Sequence, residues 1–299
     1  MNGILCVNKP QEMTSFDCCA ILRRLTGERR IGHAGTLDPM ATGVLPIMLG
    51  RATRAIPLLP SHEKAYRATL QFGCVSTTLD VWGEVTETGK PYPALEAVEA
   101  ALPAFRGNIL QIPPMMSALK KNGVRLYDLA RQGIEIEREA RPITIHRLDV
   151  VEYIAESGTL TLDCTCSAGT YIRTLCDDLG RTLGCGAVMT ALCRTAAAGY
   201  TLTDSYTIDE WRAFAENGTL EAHIRPVDSA FVSYEAVTVT APQAVRFQNG
   251  GALALDRLGN QTVSGPTRVY APNGEFLGLG TPENGELQIL RLLGGINNG

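Results

Sequence analysis

Gly32-His33-Ala34-Gly35-Thr36-Leu37-Asp38-Pro39 sets one carboxylate on a loop made from two glycines, a histidine and a proline. Gly32 and Gly35 can take φ > 0, where residues with side chains rarely sit. Pro39 pushes Asp38 toward an extended backbone. Such a loop fixes the direction of a carboxylate in a backbone shape that folding alone does not favour. An isolated GxxGxxD would read as an ordinary turn with a capping Asp, so the weight rests on what surrounds it.

The chain of 299 residues is 45% hydrophobic and 19% charged, which suits one or two soluble domains with a real core. No apolar run is long enough to span a bilayer. The first residues, MNGILCVNKPQEM, lack the basic start and long apolar centre of a signal peptide. Nine cysteines without such a signal imply reduced thiols and a cytoplasmic location. Cys164 and Cys166 flank Thr165 in a strand-like segment and are expected on one sheet face. Four scattered histidines and no C-x-x-C argue against a zinc site.

The net charge of −4 is unevenly spread. Residues 1–60 hold seven Lys/Arg against four Asp/Glu, and residues 106–147 hold eight against four. Residues 148–299 hold nine against seventeen. Local field steers a polyanion more than net charge does.

Gly3–Val7 and Val44–Leu49 read as apolar strands. Ser15 can cap a helix to about Leu25. Tyr66, Ala68, Leu70 and Phe72 alternate with polar residues, as in a half-buried strand. Residues 93–105 suit a helix. Residues 113–142 open on Pro113-Pro114, carry Lys120, Lys121, Arg125, Arg131, Arg138 and Arg141, and close on Pro142; they suit an insertion with one short helix. Ile143–Val151 and Leu160–Cys166 suit a hairpin across Ser157-Gly158, and Thr170–Leu183 a helix. After Ser229 the texture changes to short strands at Val237–Val239, Thr267–Tyr270, Phe276–Leu279 and Leu287–Leu292. Asn-Gly turns are expected between them at Asn249-Gly250, Asn273-Gly274 and Asn284-Gly285.

Lys9-Pro10, GHAGTLDPMATGVLPI, Lys64-Ala65-Tyr66, QIPPMMSALKKNGVRLYDLARQGIEIEREARPI and SAGTYIRTLCDDLG occur in one order along most of the chain. In order and spacing they resemble the bacterial tRNA pseudouridine-55 synthases, the TruB family. The resemblance implies an α+β fold with a mixed, mainly antiparallel central sheet flanked by helices and loops. It implies a catalytic domain over residues 1–229, a basic thumb at 113–142, and a PUA-like RNA-binding domain over 230–299. The implied reaction isomerises uridine to pseudouridine in the T-loop of tRNA, at position 55, after the base is flipped out. A monomer acting on the T-arm stem-loop is expected, with no membrane partner.

That reaction breaks the ribose C1′–N1 bond, turns the base and rejoins it through C5. Nothing is oxidised and no group is carried away, so no cofactor is expected. A carboxylate near C1′ and C2′ suits it as nucleophile, charge stabiliser or base. By resemblance Asp38 is that carboxylate, Arg173 its partner, Tyr66 the ring that stacks on the target base, and His33 the residue that fills the vacated space. Tyr171 lies on the same face as Arg173 if the backbone is extended there. Lys9 and Lys64 are expected as phosphate or scaffold contacts. Asp80, Lys120, Lys121 and Arg125 are expected at the RNA.

Three segments depart from the family pattern. Glu12 replaces a Gly in KPQEMTS. Ser76–Gly83 keeps Asp80 and Gly83 but has Thr77 and Trp82 where acids are usual. Met116 replaces an aromatic residue. Two rival readings remain: a tRNA-binding or folding protein without catalysis, and a nucleoside or glycoside hydrolase, which would ordinarily need a second acid.

Overall fold

A computed structural model describes residues 1–121, 123–259 and 263–294. The chain divides into two units. One comprises residues 39–43 and 62–197; the other comprises residues 1–38, 44–61 and the chain from 198 onward.

The first unit is built on a mixed sheet. Its central strand, Lys64–Phe72, pairs antiparallel with Ala187–Ala197 on one side and with Thr159–Cys166 on the other. The expected alternation holds: Tyr66, Ala68, Leu70 and Phe72 are buried and Arg67 is exposed. Thr159–Cys166 pairs antiparallel with Arg141–Ile154, the hairpin the Ser157-Gly158 turn implied. Gly107–Gln111 closes that edge. At the opposite edge Thr42 and Gly43 pair in parallel with Cys193 and Arg194. Cys164 and Cys166 are both buried, on one face as expected.

The helix expected from Thr170 starts later. It runs Ile172–Thr182 with Tyr171 as its N-cap residue. Arg173 is therefore helical, and the strand-like alternation with Tyr171 does not hold. The basic insertion carries a small hairpin, Lys120–Lys121 against Val124–Arg125, then a short helix at Leu126–Ala130.

In the second unit Gly3–Lys9 is almost wholly buried. The helix Ser15–Thr26 is capped by Thr14, not Ser15: the Thr14 hydroxyl accepts from Asp17 N, and Asp17 reaches back to Thr14 N. It packs against the helix Ile208–Glu216, whose Trp211 is fully buried. Ile31–His33 pairs antiparallel with Ile47–Leu49. Gly32 sits in that strand without a positive φ; Gly35 takes φ 105°.

The C-terminal part forms a five-stranded sheet in the order Glu235–Thr238, Thr267–Tyr270, Phe276–Glu283, Glu286–Leu292 and Leu253–Ala254. Val237, Phe247, Val269, Leu277 and Leu287 form its core. Asn284-Gly285 makes the expected two-residue hairpin, both at positive φ. Asn249-Gly250 does not: it ends a helix, Ala241–Gln248. The sheet is tied to the N-terminal segment, with Asn2 donating to Leu293 O at 3.0 Å and Arg51 to Gly294 O at 2.8 Å.

No helix among the described residues is long and apolar enough to cross a membrane. All nine cysteines are free thiols, and seven are buried. Burial pushes Cys6 and Cys176 up to about 12 and Cys18 and Cys19 to about 11.

Candidate active site

Asp38 is held through its neighbour. Ser15, 1% exposed, accepts from Leu37 N at 2.9 Å and donates to Leu37 O at 3.2 Å. One hydroxyl thus satisfies both backbone groups of the residue before Asp38, while Gly35 bends the chain just ahead. Two buried backbone groups would otherwise lack partners, at about 1–3 kcal/mol each. Local pattern offers Ser15 only a capping role; its partner lies 22 residues away, beyond the reach of any such pattern.

His33 stands on the short strand beside this loop, edge-on to the Phe16 ring at 5.3 Å between centroids. Lys9 is fully buried, and its ammonium donates to Pro10 O at 2.8 Å and Met13 O at 2.7 Å. Of the two roles open to it, the geometry supports the scaffold one. The turn it ties down contains Glu12, which takes φ 67°. A glycine at that position fits such a backbone without strain, which accounts for the family preference.

The other predicted residues belong to the sheet unit. Arg173, in the first turn of its helix, is 6% exposed. Its guanidinium lies 3.4 Å from Asp80 Oδ2 and donates to Thr78 O at 3.1 Å and Met116 O at 2.8 Å. Asp80 is 5% exposed and also accepts from Thr78 Oγ1 at 2.6 Å and Trp82 N at 3.0 Å. From sequence Asp80 is an RNA contact; in the fold it is an internal partner of Arg173. A buried guanidinium and carboxylate compensate one another, and removing either leaves an uncompensated charge costing about 3–5 kcal/mol.

The loop carrying Asp80 has its own strain. Leu79 takes φ 66°, uncommon for a residue with a side chain. The loop is anchored to the Ala187–Ala197 strand by Val81 N to Met189 O at 3.1 Å and Met189 N to Leu79 O at 3.2 Å. Thr77, one of the departures, accepts from Glu84 N at 3.1 Å, so a neutral acceptor performs the bond an acid could make there. The Met116 departure leaves the Arg173 site intact, because Arg173 uses its carbonyl.

Tyr171 is clamped by a residue the sequence reading missed. Gln111 accepts from Tyr171 N at 2.8 Å and donates to Tyr171 O at 3.0 Å. Tyr66 is buried in the central strand, directly opposite Cys164 and Arg194. Lys64 lies two residues before it, and burial together with Arg194 depresses its ammonium. Lys120, Lys121 and Arg125 are exposed on the insertion. Lys121 donates to Glu137 O at 2.7 Å, and Arg125 stacks over the Tyr127 ring at 5.6 Å.

Comparison with known proteins places the chain among the pseudouridylate synthases. The N-terminal domain model of the TruB family pseudouridylate synthases matches residues 23–172. The tRNA pseudouridylate synthase B C-terminal domain matches 173–232, and the pseudouridine synthase II TruB C-terminal model matches 236–293. The chain belongs to the TruB family.

A relative named tRNA pseudouridine synthase B, from Clostridium perfringens (strain ATCC 13124), is 41% identical over 296 residues, covering 98% of this chain and 99% of the relative. One of the same name from Dechloromonas aromatica is 42% identical, covering 96% and 93%. Among solved structures, a chain of a Cbf5-Nop10-Gar1 complex aligns with a TM-score of 0.73 at 22% identity, covering 97% of this chain and 84% of that one. At that identity the likeness concerns the fold, a mixed sheet with helices and a C-terminal β-rich domain.

Proposed function

We propose that this chain isomerises uridine to pseudouridine at position 55, in the T-loop of tRNA, with Asp38 as the catalytic carboxylate. Full-length membership of the TruB family supports the reaction. The observation that carries the residue assignment is the two-bond grip of Ser15 on Leu37, which holds the backbone leading into Asp38. Catalytic groups gain from being held in place before substrate arrives.

A uridine in a folded loop must leave the stack to be reached, which costs a few kcal/mol of unstacking. His33 fills the space it leaves, and the Tyr66 ring lies against the displaced uracil. A stacking surface tolerates the rotation the base must make, because every orientation presents a π-face. Within the sheet unit Arg173 is held in place by Asp80. Lys120, Lys121 and Arg125 meet the phosphates, and the C-terminal sheet acts as a PUA-like RNA clamp. The protein works as a cytoplasmic monomer on the T-arm.

The test is incubation with an unmodified T-arm stem-loop, followed by chemical tagging of pseudouridine and mass analysis. Pseudouridine at unchanged mass is expected. Free uracil would indicate hydrolysis, and binding without any product would indicate a tRNA-folding role. Asp38→Asn keeps the size of the side chain but cannot attack or take a proton. It is expected to abolish turnover while stem-loop affinity stays near wild-type; turnover near wild-type would remove Asp38 from the chemistry.

A further inference from the structure

Arg194 lies within the strand Ala187–Ala197 and has no exposed surface. A guanidinium out of water is costly unless its donors are used. Directly across the antiparallel register stands Tyr66, and the two side chains are hydrogen-bonded. A guanidinium has only donors, so the phenol oxygen is the acceptor and its own hydrogen turns away from Arg194.

The backbone of Arg194 is fixed from the other edge as well. It pairs in parallel with Gly43, which takes φ 102°. A Cβ on Gly43 would stand 2.2 Å from Arg194 O, so only glycine permits this approach.

Tyr66 shares its sheet face with Lys64 on its own strand, Arg194 on one neighbour, and Cys164 and Cys166 on the other. Burial depresses Arg194, and the bond to Tyr66 opposes that depression. Placing a second cation beside the already disfavoured Lys64 gains nothing for the core. An apolar residue would fill that position at lower cost.

We propose that Arg194 is the positioning residue of Tyr66. By holding the phenol oxygen from within the sheet, it sets the height and tilt of the ring, so that a uracil lying on that ring is presented in one register. This rests on the reading of Tyr66 as the ring against the target base.

The experiment is a double-mutant cycle on the full chain, using single-turnover rates with saturating T-arm stem-loop. Arg194→Gln is expected to lower the rate roughly tenfold or more, with KM little changed, as for strongly coupled neighbours. In the Tyr66→Phe background, where no phenol oxygen remains to hold, Arg194→Gln is expected to cost nothing further. Equal losses in both backgrounds would mean that Arg194 only supports the sheet, and would overturn the inference.

Arg194→Lys, which retains a cationic donor, is expected to recover part of the rate. If Arg194→Gln fails to fold, Arg194→Lys takes its place in the cycle with the same two outcomes. Tyr66→Leu, which removes the ring, checks the reading itself. Wild-type turnover there would sink the role of Tyr66, whereas slow turnover together with equal Arg194 losses would sink only the present inference.

Discussion

The sheet unit and the C-terminal sheet differ in what they hide. The sheet unit buries Asp80, Arg173 and Arg194. The C-terminal sheet buries an apolar set, Val237, Phe247, Val269, Leu277 and Leu287, with Thr267 its buried polar residue. Buried charge is costly, because apolar groups of similar size fill a core at lower cost. Charge is thus retained inside the sheet unit and, among the described residues, absent from the interior of the C-terminal sheet.

The sharpest way to break this comparison is Arg173→Lys. An ammonium cannot serve the Asp80 carboxylate and two carbonyls in the same fork geometry. A loss of about 3 kcal/mol in transition-state stabilisation is expected, on the scale of breaking a buried ion pair. Steady-state kinetics on the stem-loop measures it, and retention of most activity would mean that the fork is dispensable.

Exposed charge should behave otherwise. Replacing Lys120, Lys121 and Arg125 together by neutral residues should weaken tRNA binding and leave the rate on bound substrate nearly unchanged. Each lost phosphate contact should flatten the logarithmic salt dependence by roughly 0.7–0.9. An unchanged slope would show that these cations are solvated surface.

Removing the chain after Ser229 should lower affinity for whole tRNA more than it lowers turnover on the stem-loop. Binding energy shared equally by ground and transition states shows in KM rather than kcat. Collapse of kcat in a variant that remains folded by circular dichroism would erase the division. Asn2 and Arg51 lose their partners at Leu293 and Gly294 in that truncation, so its melting temperature should fall.

The smallest effect sharpens the comparison by exclusion. Glu12 is exposed and left-handed, and it lies outside both regions. Glu12→Gly relieves a backbone penalty but adds freedom to the unfolded chain, for a net gain of about 0.5 kcal/mol. Thermal unfolding checks it, with activity unchanged; a marked loss of stability would mean that the Glu12 side chain anchors the turn.

Much of this was legible in the residues. Period-2 alternation marked Tyr66–Phe72 and the Cys164–Cys166 face of the Leu160–Cys166 strand, and Asn284-Gly285 marked its hairpin. The GHAGTLDP loop pointed to Asp38 as the proposed carboxylate. What escaped detection was set by distance along the chain. Ser15 meets Leu37, Gln111 meets Tyr171 and Arg173 meets Asp80 only after folding, and no local pattern reports such partners. Arg194 is a lone cation in a strand, and alternation does not say which sheet face is closed to water. The helix Ala241–Gln248 was hidden by Pro242, which reads as a breaker although the first helical turn tolerates proline.

The cysteines carry a practical consequence. Seven of the nine thiols are enclosed, and burial holds Cys6, Cys18, Cys19 and Cys176 in the protonated form far above neutral pH. Only the thiolate reacts with maleimides or iodoacetamide. Cys74 and Cys193, the two with partial exposure, are therefore the natural handles for a fluorophore in the folded protein. Cys193 adjoins Arg194 in the chain and faces Arg67 across the sheet. A dye there would sit on the strand that carries Arg194, and could report the arrival of RNA without adding a residue to the protein.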